Sequence, residues 1–181
     1  MPLTSPENIK NAGLRVSAQI DNSLIENFIN EAENKYIKLR ITDALYVDLL
    51  EWNKSINKDR FPHEYKILMD GGIYETKSMC GNIEKRYFEG LIKAINYYVH
   101  SRIVRKMDEN STRFGFVQKD DQYSQQHDLK TKIAAENDSL QIADIYLSDC
   151  ILYIEANKDK FPLYTKGEKA KNRIKISIIG D

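Results

Sequence analysis

The stretch from Glu84 to Met107 constrains this chain more than any other. Phe88, Leu91, Ile92, Ile95, Val99 and Ile103 recur at the spacing of one helical face, while Glu89, Lys93, Asn96 and His100 take another. Glu89 stands four residues ahead of Lys93, the favourable order for a helical ion pair. Gly90, Ala94 and Ser101 place small side chains on a third face, where a second helix can approach closely. Glycine inside a helix costs about 1 kcal/mol against alanine, and close packing at Gly90 is a physical reason to keep it. A segment with these faces belongs inside a helical bundle, so the expected fold is mainly α.

The remaining helical signals agree with that expectation. Ser5-Pro6-Glu7 starts a short helix with a capping hydroxyl and a proline in the first turn, and Gly13 ends it. Asp21-Asn22-Ser23 opens the next, where Ser23 and Glu26 have capping-box spacing. Its apolar face is Leu24, Ile25, Phe28, Ile29, Ala32 and Tyr36, and Glu26, Asn30, Glu33 and Asn34 fill the other side. Thr42-Asp43 is a cap for a helix carrying Leu45, Leu49 and Trp52. Pro62 can start a further helix through Met69, closed by Gly71-Gly72; Asp70-Gly71 also fits a hairpin turn, and the helix is the preferred reading.

The pattern lapses from Glu109 to Gln126, where a loop with a short extended piece at Phe114–Val117 is expected. Helix resumes near Ser124 and kinks or restarts at the cap-like cluster Asn137-Asp138-Ser139, continuing through Leu140, Ala143, Leu147, Cys150, Ile151 and Ile154 to a stop at Phe161-Pro162. Asn57-Lys58-Asp59-Arg60-Phe61-Pro62 nearly repeats as Asn157-Lys158-Asp159-Lys160-Phe161-Pro162, read as two similar helix exits rather than a duplication. The chain thus divides into a helical domain over residues 1–164 and a basic, flexible tether with a terminal strand over 165–181. In that last part Ile174, Ile176 and Ile178 alternate with Lys175 and Ser177, the period of a β-strand. A strand without a neighbour leaves backbone groups unpaired, so Arg173, Ile174, Lys175, Ile176, Ser177, Ile178 and Ile179 read as a protein-interface segment seeking a sheet edge. A helical domain has no sheet to offer it beyond the piece near Phe114–Val117.

Composition bears on function. The 181 residues hold 27 Lys+Arg and 27 Asp+Glu, a balance unlike the basic excess of most nucleic-acid binders. The basic run from Lys166 to Lys175 and the Tyr97-Tyr98 pair keep one alternative open, a small nucleic-acid-binding or regulatory protein. No signal peptide or membrane span is expected. Cys80 and Cys150 read as buried reduced thiols rather than a disulfide, and Cys80 as a nucleophile lacks anything nearby in sequence to lower its pKa. His63, His100 and His127 lie in separate segments without a metal-ligand spacing, and no phosphate-binding glycine loop occurs. No catalytic residue, cofactor or metal is therefore expected.

Three stretches then carry a resemblance. The first runs from Asp21 to Leu50, with Ile25, Phe28, Ile29, Ala32, Glu33, Ile41, Leu45 and Tyr46. The second is Gly71-Gly72-Ile73-Tyr74-Glu75 with Phe88-Glu89-Gly90-Leu91 and Ala94-Ile95-Asn96-Tyr97-Tyr98. The third is Thr112-Arg113-Phe114-Gly115 and Tyr123-Ser124, leading to Phe161-Pro162-Leu163-Tyr164. In this order the chain resembles the head–tail connector (adaptor) proteins of tailed bacteriophages, in the larger version found in phages of Bacteroides-type gut bacteria. The resemblance implies a wedge that forms a ring, often of twelve copies, beneath the portal vertex of the virion. It implies the portal protein and adjacent tail or ring proteins as partners, and packaged DNA passing through the channel without sequence-specific binding. It implies synthesis in the host cytoplasm, residence in the virion neck, and no chemical step. Common small connectors are shorter, holding only the helical core.

Overall fold

Two long helices organise the fold. The structure, a computed structural model, describes residues 2–14, 16–77, 80–106, 109–112, 115–118 and 129–165. Helices α1 (Pro6–Asn11), α2 (Asn22–Ala32), α3 (Lys38–Ile41), α4 (Asp43–Lys54) and α5 (Glu64–Asp70) lead to a hairpin of β1 (Gly72–Lys77) and β2 (Ile83–Phe88). Then come α6 (Leu91–Lys106), a second hairpin of β3 (Glu109–Thr112) and β4 (Gly115–Gln118), and α7 (Leu129–Ala156). The architecture is mainly helical with small two-stranded antiparallel sheets. Helix α6 lies at the centre, packed along α7 and also touching α1, α2 and α5. Leu91, Ala94, Ile95, Tyr98, Val99 and Ile103 of α6 meet Ala143, Leu147, Cys150 and Ile154 of α7 in one buried cluster.

Several expectations change here. The apolar run from Glu84 is not one helix. Residues 83–88 are a strand, and α6 begins at Leu91. Gly90, expected inside the helix, lies ahead of it at φ +86°, a left-handed conformation that ends helical propagation backwards into Phe88. Ala94 and Ser101 lie within α6 and are buried, and the Ser101 hydroxyl donates to the Tyr98 carbonyl at 2.7 Å. Helix α7 runs unbroken for 28 residues through the cluster expected to restart it. The Ser139 hydroxyl bonds back to the Ala135 carbonyl at 2.9 Å and meets the His100 ring, so it is used inside the helix instead of capping one. Of the extended piece expected at Phe114–Val117, Gly115–Val117 fall in β4, where Gly115 pairs with Thr112, and Phe114 lies outside the described residues.

The entry to the core differs too. Asp21, not Ser23, caps α2, its carboxylate accepting the Ser23 N–H at 3.0 Å. Thr42 makes no side-chain cap for α4; it sits at φ +74° and its hydroxyl donates to the Leu163 carbonyl at 3.0 Å. Between α2 and α3 the chain makes a π-turn, Glu33–Ile37. One extra residue in a helical turn advances the buried face by one position. The core therefore continues through Ile37 and Ile41 with Leu39 left on the surface, and Glu33, four residues after Ile29, is fully buried. The segment ahead of α1 lies over this turn: the Leu3 N–H donates to Glu33 Oε1 at 2.7 Å, and the Tyr46 hydroxyl donates to Oε2 at 2.8 Å.

His100 gives the fold a pH dependence with a definite sign. Its ring is packed between α6 and α7, 2.9 Å from Ser139 Oγ. Burial holds its pKa below the ordinary 6.5, with a bond to the Leu14 backbone opposing. The unfolded chain then binds the proton first, so stability rises as pH climbs from the depressed folded value through 6.5. Urea midpoints should increase over that window in the native chain, and a His100→Gln variant should lose that part of the slope. A slope unchanged in the variant would remove His100 as its source.

Candidate interaction surface

The β1–β2 hairpin is built on two crossing glycines. The backbone of Gly71 and that of Gly90 pass so close that a Cβ built on Gly90 would lie 2.4 Å from the Gly71 nitrogen. A Cβ on Gly71 would lie 2.6 Å from the Phe88 carbonyl oxygen. The hairpin's register follows: Gly72 faces Phe88, Ile73 faces Tyr87, Glu75 faces Lys85 and Lys77 faces Ile83.

Alternation along the strands then sorts the side chains. The inner face is aromatic. Tyr74 meets Tyr153 of α7 edge-on at 5.2 Å, Phe88 stacks on Tyr153 at 4.8 Å, and Tyr153 meets Phe161 at 5.8 Å. Burial, with the Glu64 charge, pushes the Tyr153 hydroxyl up to about 12. Arg86 lies near Asp149, whose pKa is raised by burial against that favourable charge. The outer face carries Ile73, Ile83 and Tyr87, which are 68%, 68% and 64% exposed. Glu75 and Lys85, 3.9 Å apart and both well exposed, lie between them and add little to stability. Every residue of β2 from Ile83 to Tyr87 is exposed. Among the described residues, no backbone hydrogen bond joins β2 to any element but β1.

The six-residue echo converges in space. Lys58–Arg60 and Lys158–Lys160 each make a 3-10 turn, and Phe61 and Phe161 lie on the same ring, Tyr65, at 6.2 and 5.6 Å. The Tyr65 hydroxyl donates to Asp48 at 2.5 Å, and burial, together with that bond and the Asp48 charge, raises the tyrosine's pKa. Pro62, Pro162 and Leu163 complete a cleft of about 340 Å³ beside this tyrosine. Similar exits from α4 and α7 thus meet on α5, in keeping with the reading as two like helix ends.

The other sequence candidates fall as follows. Cys80 is exposed in the β1–β2 turn, against the expectation of a buried thiol, and Cys150 is buried and unpaired, its pKa pushed up by burial. Tyr98 is buried, stacked on Tyr36 at 4.2 Å and bonded to Asp144 at 2.6 Å, so it presents no face to a nucleic-acid base. Tyr97 packs edge-on against Tyr146. Among the described residues no cluster of three or more His, Cys, Asp or Glu has metal-binding geometry, and no helix is long and apolar enough to cross a membrane. The segment from Arg173 to Ile179 lies outside the described residues. The premise that the chain offers it no sheet does not hold, because β1–β2 is one. That hairpin has a signal in the sequence: Gly71-Gly72 and Gly81 bracket Ile73-Tyr74-Glu75-Thr76, three of whose four residues are β-branched or aromatic.

No curated protein and no solved structure matches the chain. Residues 37–174 match a family described as DUF6712, a family of unknown function, and the match takes in α3 to α7 with the hairpin between them. The chain belongs to the DUF6712 family.

Proposed function

We propose that this chain is a structural assembly protein, a wedge of the ring beneath a phage portal that joins capsid to tail and continues the DNA channel. The observation that carries this reading is apolar surface left in water on separate elements. The hairpin holds out Ile73, Ile83 and Tyr87, while α3, α4 and the loop after α4 hold out Leu39, Val47 and Ile56. A head-to-tail ring needs two different patches on each copy, one to meet the other on the next. The order of motifs shared with connector proteins adds to this, and the balanced charge suits flanks that meet without net repulsion. The working partners are further copies of the chain, the portal protein and the adjacent tail proteins.

The test is assembly. The chain mixed with a portal protein and tail proteins of a phage that encodes it should form rings visible by electron microscopy. Truncation after Tyr164 should leave the helical circular-dichroism signal intact and abolish joining to the partner. A full-length chain that stays monomeric beside those proteins would overturn the reading.

A further inference from the structure

The outer edge of β2 is an unfinished sheet. Its residues Ile83–Tyr87 are exposed, and among the described residues its outward backbone groups have no hydrogen-bond partner. An open edge beside exposed apolar side chains is a template for another strand, and proteins ordinarily blunt or cover one. This edge is partly flanked by charge, at Glu84, Lys85 and Arg86, yet Ile83 and Tyr87 stand at its two ends on one face.

The chain itself holds a segment with the sequence period of a strand. Arg173–Ile179 is seven residues long against the six of β2, and its alternating Ile174, Ile176 and Ile178 would lie beside Ile83 and Tyr87, on the face that Ile73 shares. The segment starts from a fixed point. The Leu163 carbonyl is held by Thr42, and Phe161 packs on Tyr153, the residue against which the hairpin rests. From Lys166 to Asn172 the tether spans at most about 25 Å. We infer that Arg173–Ile179 of a neighbouring copy adds as a third strand to the β2 edge, making the hairpin flank the seam between copies. This rests on the ring reading, since the apolar strip beside the edge is what that reading assigns to the interface. Backbone bonds supply the attraction, and the isoleucine spacing selects the register.

Disulfide trapping in the full chain tests it. In a Cys80→Ser background, Lys85→Cys places one thiol in mid-β2, and a second cysteine is stepped through positions 174–179. Cys150 is buried and stays silent. The expected result on mild oxidation is a ladder of interchain-linked species, strongest at alternate tail positions. Adding Tyr87→Lys, at a residue outside the core, should cut the yield severalfold. A monomer-mass intrachain link would overturn the neighbour assignment, and no link at any position would overturn the edge assignment. Electron microscopy of the same samples with portal protein separates the two ideas. Rings without links sink this inference and leave the ring standing; linked copies without rings support the edge and sink the ring.

Discussion

Gly90→Ala should leave little folded protein, whereas Gly81→Ala should fold almost normally. Both glycines have nearly the same backbone, φ +86° and +83°, so the conformational strain of adding a side chain is shared, about 1–2 kcal/mol. Their surroundings differ. A Cβ on Gly81 meets nothing within 4 Å, while one on Gly90 lies 2.4 Å from the Gly71 nitrogen and 2.6 Å from the Asp70 carbonyl carbon and the Met69 oxygen. Those are backbone atoms of the α5 exit and cannot rotate away. Relief requires moving α5 from the start of α6, which opens the seat of Met69, Phe88 and Leu91, all buried. We expect a loss above about 4 kcal/mol, an exceptional size for one methyl group. Against a total stability of roughly 5–15 kcal/mol, that is a large fraction. Urea unfolding followed by near-ultraviolet circular dichroism measures it. Gly71→Ala should match Gly90→Ala, because the contact is mutual. A Gly90→Ala midpoint as high as that of Gly81→Ala would refute the crossing.

The same pair shows what the sequence could and could not disclose. Close approach was a sound reason for a glycine at position 90, but periodicity named the wrong neighbour. Phe88 sits at helical spacing from Leu91 and Ile95, and a strand ending in a buried aromatic beside a helix mimics one more helical turn. Only the crossing with Gly71, nineteen positions earlier, breaks the ambiguity, and that is a tertiary fact. Local chemistry is legible where it is local: Ser5 accepts the Asn8 N–H at 3.3 Å, and Glu89 pairs with Lys93 at 3.7 Å. It failed where distant groups compete for a side chain. Ser139 looked like a cap but serves Ala135 and His100, and Thr42 looked like a cap but reaches Leu163. The outer strip of the hairpin was hidden for a related reason. Ile73, Ile83 and Tyr87 line up only once the register is fixed by the glycines at its base.

Glu33 is the second large effect, and its substitutions should separate lost hydrogen bonds from lost charge. Helical spacing from the buried Ile25 and Ile29 puts it on the core face of α2 despite its charge, and there its carboxylate accepts from Leu3 N–H and the Tyr46 hydroxyl. Glu33→Ala leaves both donors buried without a partner, at about 1–3 kcal/mol each, so a total near 3–5 kcal/mol is expected. It should also loosen the segment ahead of α1, which Asn53 still holds by donating to the Pro2 carbonyl at 3.0 Å and the Leu3 carbonyl at 3.4 Å. Faster amide exchange at Leu3 and Ile9 would report that release. Glu33→Gln keeps the shape and one acceptor, so near pH 4 it should cost less than alanine. Burial raises the Glu33 pKa above its ordinary 4.5, outweighing the bonds from Tyr46, Leu3 and Thr4 that favour the charged form. The folded chain therefore holds the proton longer than the unfolded one, and stability from this site is greatest below 4.5 and falls as pH rises through the folded value. Glutamine cannot ionise and escapes that fall. The gap between the native chain and Glu33→Gln should thus shift in favour of glutamine as pH rises above 4.5. If the gap moved the other way, the hydrogen bonds would have outweighed burial, and the carboxylate would be held charged by the segment it anchors.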